Sequence, residues 1–200
     1  MPSEDEPIVR TRHVQEWLQQ VAKEDEPWRG RFFQALPRKL RETIENAPRL
    51  SWLPIETHVQ LADLMLETFG LARAHAYYRR SFTQALRGPI FDALVKTGVR
   101  VLGVSPAAFL RWANKGWELS FRNCGRVEGK VLGPEHGLLI YSGLPQVCTA
   151  SDAWLDSAQG SAYGALDLLE VQGVVRLDKR ARDRGGMQLE LEWNQRSPTT

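Results

Sequence analysis

The chain has 200 residues, 42% hydrophobic and 25% charged, an ordinary globular composition that excludes a disordered, collagen-like or coiled-coil chain. Its 26 Lys and Arg stand against 24 Asp and Glu, and a net charge of +2 gives no basic footprint of the kind a dedicated nucleic-acid binder carries. No apolar run approaches the ~20 residues that span a bilayer, the acidic start has no apolar stretch behind it, and two cysteines outside any CxxC pair support neither a disulfide scaffold nor a zinc finger. A cytoplasmic protein is expected.

Residues 1–8 read as an acidic, proline-bearing tail. Val14, Trp17, Leu18 and Val21 recur at helical spacing and predict a helix over 9–22, which Glu24–Pro27 breaks. Pro37 opens a short helix to Asn46, with Leu36, Leu40 and Ile44 inward. Pro48 and Pro54 frame an apolar loop expected to pack on the body. Pro54 also opens a helix to Phe69 that is apolar on two sides, and therefore central, with Gly70 as its stop. The next helix, 71–87, turns Leu71, Ala74, Tyr78, Phe82 and Ala85 inward. Pro89 starts another helix through Leu102, and Ser105-Pro106 caps one to about Asn114. At Gly116 the pattern changes. Residues 117–132 and 137–143 predict a long hairpin about the turn cluster 133–137, with Asn123-Cys124-Gly125 as a bulge or bend in its first strand. Ser151 and Asp152 cap a helix to about 171. A second hairpin joins Val174–Leu177 to Met187–Trp193. The alternation of Met187, Leu189, Leu191 and Trp193 with Gln188, Glu190 and Glu192 demands one buried face and one wet face. Helices first, then hairpin–helix–hairpin, predict a single α+β domain over 9–193 with a four-stranded antiparallel sheet and a frayed 194–200.

Catalytic signatures are missing: there is no GxSxG, HExxH, Walker loop or GxGxxG. None of His13, His58, His75 and His136 pairs with another at i, i+3 or i+4. The best metal set, His58, Asp63, Glu67 and His75, needs two helices to assemble it, and no metal is expected. Cys124 stands near Arg122 and Arg126, a setting that lowers a thiol pKa. His136 is its only local base, so a Cys-dependent enzyme is the remote alternative. On the helix at 71–87, Arg73, Tyr77, Arg80, Gln84 and Arg87 share one face. Guanidiniums beside an aromatic suit a partner protein or an anionic group. Of seven tryptophans, Trp112 and Trp117 flank the helix-to-sheet junction and, with Tyr78 and Phe82, mark a candidate pocket for a small hydrophobic ligand. Trp52 on its proline-framed loop is the expected exposed anchor, which with Arg73, Tyr77, Arg80 and Arg87 makes the candidate partner surface. Gly160 and Gly164, with Ala158, Ala162 and Ala165, are expected to let their helix lie close on the sheet.

Phe33-Gln34-Ala35-Leu36-Pro37, Ser51-Trp52-Leu53-Pro54, Gly103-Val104-Ser105-Pro106, Lys115-Gly116-Trp117, Phe121-Arg122-Asn123-Cys124-Gly125, Gly143-Leu144-Pro145 and Leu191-Glu192-Trp193 together resemble a myxobacterial family of paralogous proteins, a domain of unknown function. The resemblance covers roughly 30–193 and implies a bacterial cytoplasmic protein. The element order also resembles the fold shared by vinyl-reductase-like domains, haem–nitric-oxide-binding domains and TRAPP subunits, which implies ligand enclosure or dimerisation through helices. Haem in that group needs an axial histidine on a helix and a Tyr-x-Ser-x-Arg clamp. Tyr77-Tyr78-Arg79-Arg80-Ser81 holds those residue types in another order, and no cofactor is expected. These readings together imply a non-catalytic bacterial sensory or regulatory module, binding a small hydrophobic ligand or a regulatory partner protein, as a homodimer. The alternative is a ligand-free interaction scaffold. Neither nucleic acid nor membrane insertion is expected.

Overall fold

In the computed structural model, residues 5–86 and 105–194 are described; the helix expected over 89–102 and Arg87 lie outside them. The chain opens with a short strand, β1 (Ile8–Arg10), that leads directly into α1 (Thr11–Val21). Val14, Trp17, Leu18 and Val21 form the buried stripe of α1, as their spacing requires. A short helix that the sequence pattern does not announce, α2 (Trp28–Ala35), buries only Phe32. It is followed by α3 (Arg38–Asn46). The proline-framed loop packs on the body as β2 (Trp52–Pro54), which pairs antiparallel with β1. Central helix α4 (Ile55–Phe69) buries both of its apolar stripes, and Gly70, at φ 71°, ends it by donating to Leu66 O. Helix α5 (Leu71–Leu86) follows.

Ser105 caps α6 (Pro106–Ser120) by accepting from Ala108 N–H at 3.2 Å. This helix runs through Gly116 into residues 117–120, where a strand is expected. Leu110, Ala113 and Trp117 continue one inward line past the glycine, and Asn114 donates to Glu118 at 2.7 Å across the last turn. Packing of that line offsets the ~1 kcal/mol that a helical glycine costs. Two residues of β3 (Phe121–Arg122) then pair with β1, completing a small sheet of order β2-β1-β3. Of the bulge or bend expected at 123–125, the structure has the bend, with Asn123 at φ 54° and Gly125 at φ 71°.

The first hairpin is therefore shorter than its apolar run: β4 (Arg126–Gly133) against β5 (His136–Ser142). A one-turn helix, α7 (Gln146–Ala150), precedes α8 (Asp152–Leu168), whose cap Ser151 accepts from Trp154 N–H at 2.9 Å and donates to Asp63 at 2.5 Å. The second hairpin joins β6 (Gly173–Asp178) to β7 (Met187–Trp193). The sheet order is β4-β5-β7-β6, all antiparallel. Met187, Leu189, Leu191 and Trp193 are buried, and the α+β architecture with its four-stranded sheet is as the alternation requires.

Two close approaches set the layers. Helix α6 crosses the first hairpin where β4 carries Gly129: a Cβ there would lie 1.9 Å from Leu110 O. Helix α8 presses its Gly160–Gly164 face onto α5, not onto the sheet as expected; a Cβ on Gly164 would lie 2.4 Å from Arg79 O. The sheet-facing side of α8 carries larger residues, and Gln159 donates to Val175 O at 2.8 Å from it.

Candidate functional site

Where the helices meet the α6–sheet layer, aromatic rings and imidazoles fill the junction. Trp17 from α1 lies 4.2 Å from His58 of α4 and 5.0 Å from Tyr78 of α5, centroid to centroid. Trp117 stacks on Phe121 at 4.2 Å and meets Tyr141 and Trp154 edge-on. His13 completes the cluster, 5.1 Å from His58 and 5.7 Å from Phe121. Such offset and edge-on pairs add to area burial and leave a dense centre.

The hydrogen bond at His58 fixes its tautomer. Trp154 Nε1–H donates to His58 Nδ1 at 2.9 Å. An indole only donates, so Nδ1 carries the lone pair and the neutral ring keeps its proton on Nε2. That Nε2–H is buried without a partner. Burial, reinforced by the His13 charge, holds His58 well below the ordinary histidine range. Burial lowers His13 to about 4, with Glu16 acting weakly the other way. Both imidazoles are therefore neutral at pH 7.

Beside this centre, between α1 and α5, opens a cleft of about 200 Å³. His13, Trp17, Gln20, Ser81, Phe82 and Gln84 line it. Glu16 at its rim is neutralised by Arg12 at 2.5 Å and Arg49 at 3.2 Å. Ser81 Oγ is buried with no hydrogen bond of good geometry, and the Tyr77 phenol beside it already donates to Trp17 O at 2.6 Å.

The residues expected to bind ligand separate. Phe82 lines the cleft. Tyr78 is core, 2% exposed. Trp117 belongs to the aromatic centre, while Trp112 stays half-buried outside it. A single helix through Gly116 sets those two tryptophans roughly 140° apart, so they cannot face one pocket.

The expected partner face also divides. Tyr77 is 1% exposed, because α5 is covered by α1 on that side. Arg73 and Arg80 converge on Glu24, Arg73 at 3.0 Å. Glu24→Gln removes a nearly buried charge from two guanidiniums and is expected to lower stability by about 1–2 kcal/mol, read as a shift of the urea midpoint. Trp52 is half-buried, with Arg10 and Arg122 against its ring. Arg87 lies outside the described residues.

Two other groupings weighed in the sequence, neither of them expected to act, do not assemble. Asp63 is bonded to Ser151 and His58 to Trp154, so the His58, Asp63, Glu67 and His75 set never converges. Among the described residues the one His/carboxylate triad is His136, Glu190 and Glu192 on the outer sheet face, where Arg176 bonds Glu192 at 2.5 Å. Cys124 precedes the open end of the first hairpin and His136 sits at its turn, roughly 20 Å along the strand. Burial pushes the Cys124 thiol up to about 12.

No family model matches the chain, and no curated protein does. Solved structures do. An Fe(II) unliganded H-NOX protein from K. algicida matches at TM-score 0.60 and 10% identity, over 96% of this chain and 100% of that one. An oxygen-binding H-NOX domain related to soluble guanylate cyclases, in its oxygen complex, matches at TM-score 0.60 and 10% identity, over 96% and 97%. The H-NOX domain SO2144 from Shewanella oneidensis, in the Fe(II)CO ligation state, matches at TM-score 0.58 and 12% identity, over 92% and 97%. No helix among the described residues is long and apolar enough to cross a membrane. What this chain shares with these proteins is the fold: it has the α+β architecture of an H-NOX domain.

Proposed function

We propose that the chain is a non-catalytic sensory or regulatory module that works without haem, with a small uncharged molecule in the α1–α5 cleft as its signal. The observation that carries this reading is the hydrogen bond from Trp154 to His58. A metal-bound imidazole offers a lone pair and usually donates its other N–H outward. His58 has the reverse arrangement: its buried free position is an N–H. His13 packs against Trp17, His58 and Phe121 and lines the small cleft, which is far below the size of a haem. His75 carries its own unpartnered Nε2 beside α8, and His136 is bonded to Glu190 on the outer sheet face. The aromatic centre occupies the junction between layers, and Tyr77 and Tyr78 are core residues, not clamp residues. The described residues therefore do not fit haem.

The cleft suits a different ligand. An apolar cavity of about 150 Å³ takes benzene, so about 200 Å³ suits a single-ring molecule. Its lining holds no unpaired charge. Trp17 and Phe82 offer an apolar wall; Gln20, Gln84 and Ser81 offer hydrogen bonds. Cytoplasmic residence and homodimerisation belong to the same proposal, the dimer using a surface other than the Gly160–Gly164 face that α5 covers.

Native mass spectrometry and an absorption spectrum of protein grown with haem precursor test the reading. The expected result is no haem mass and no Soret band, with single-ring amides or phenols raising Tm by a few degrees. Ala85→Trp, which fills the cleft, is expected to abolish that rise. Stoichiometric haem, or a rise that survives Ala85→Trp, overturns it.

A further inference from the structure

We propose that Arg10, Trp52 and Arg122 form a recognition site for a phosphomonoester dianion, presented by a phosphorylated side chain of a partner protein. The site is independent of the cleft. It arises from the register of the small sheet. Arg10 pairs with Trp52, and Ile8, two residues earlier on β1, pairs with Arg122. All four side chains therefore share the outer face, while Val9, Leu53 and Phe121 take the buried one. Both guanidiniums lie against the indole, with Cζ at 3.8 Å from the ring centroid for Arg10 and 4.3 Å for Arg122.

A guanidinium stacked by its face keeps its N–H edges free for a bidentate oxyanion. Arg10 is held further by donating to Leu50 O at 3.1 Å. Neither guanidinium has a carboxylate partner among the described residues. Glu16, which lines a small cleft with Arg10, is already shared by Arg12 and Arg49. Trp28 provides a contrast: Arg31 and Arg73 flank it too, but there Glu24 neutralises Arg73. Two uncompensated positive charges on one indole match a phosphomonoester, which carries roughly −1.5 to −2 at pH 7, better than a single carboxylate. Burial and the Arg122 charge pull the Arg10 pKa below its ordinary value, a cost that a bound dianion relieves. Arg122 is exposed, Ile8, Arg10 and Trp52 are half-buried, and Leu50 beside them is 77% exposed. Exposed guanidinium and leucine side by side suit a group carried on a protein surface.

The test is ¹H–¹⁵N NMR of the Trp52 indole N–H and the Arg10 and Arg122 Nε–H. The protein is titrated at constant ionic strength with a glycine–serine peptide bearing one phosphoserine, its unphosphorylated twin, and inorganic phosphate. Saturable shifts with the phosphopeptide alone are expected. Arg10→Gln and Arg122→Gln should each weaken binding about tenfold, equivalent to about 1.4 kcal/mol. Arg122→Lys should restore little of it, because lysine lacks the fork. Far-UV circular dichroism checks that these outer-face variants fold. Shifts that survive Arg122→Gln, or none with any phosphate, overturn the site. Inorganic phosphate binding as tightly as the peptide overturns the partner protein as its source.

Discussion

Gly129→Val is expected to prevent folding or to cost more than about 3 kcal/mol in urea denaturation, the largest effect of any single substitution on the β4 strand. Valine is a good strand residue, so local propensity alone points the other way. Tertiary geometry decides the sign. A Cβ at 129 would stand 1.9 Å from Leu110 O, 2.5 Å from its carbonyl carbon and 2.9 Å from its Cα. These are backbone atoms of α6, so no rotamer change relieves the clash, and the whole helix must lift from the first hairpin. Lifting it also opens the contacts of Leu110 and Trp117 with the core. Gly133 on the same strand is the control. Nothing lies within 4 Å of a Cβ there, and Gly133→Ala is expected to leave stability within about 0.5 kcal/mol. Equal tolerance at both positions would refute the close approach of α6 to β4.

Acid is expected to destabilise the fold through the two imidazoles at its centre. His13 is lowered to about 4 and His58 is lowered well below its ordinary 6.5, both chiefly by burial. Between the folded and unfolded values the unfolded chain binds more protons, so unfolding free energy rises with pH there. The stability is complete above about pH 7 and is lost as pH falls towards the folded values. An imidazole lowered to about 4, as His13 is, contributes a loss of about 2 kcal/mol between pH 7.5 and 5. Most carboxylates stay ionised down to pH 5, so that window isolates histidine. His58→Phe is expected to flatten the slope while lowering stability at pH 7.5, because Trp154 Nε1 loses its acceptor. A flat profile from pH 7.5 to 5 in the parent protein would contradict the buried, neutral pair.

The elements that follow from local pattern were legible before any tertiary contact. The stripe of Val14, Trp17, Leu18 and Val21 specifies α1. Two apolar faces make α4 central, Ser105-Pro106 and Ser151 start their helices, and the alternation from Met187 to Trp193 assigns one face of β7 to the core. Errors arose where a short-range signal met a long-range contact. Gly116 reads as a break, yet α6 continues because Trp117 has Phe121, Tyr141 and Trp154 to pack against. The apolar run from 117 contains helix, turn and strand, since burial alone does not distinguish them.

Composition, periodicity and capping chemistry thus determined the α+β class, most helix starts and the inner face of the last hairpin, because these depend on residues within a few positions of one another. Which groups meet was decided only by the tertiary structure. Trp154 finds His58 across 96 positions, Arg10 stacks on Trp52, and Glu24 gathers Arg73 and Arg80. The small-residue face of α8 lies on α5, not on the sheet, because the closest backbone it meets is that of Arg79. Side-chain periodicity states which face is buried but not against what. The partner is set by layer packing and strand register, and with it the tautomer of His58, the neutral cleft and the uncompensated arginine pair.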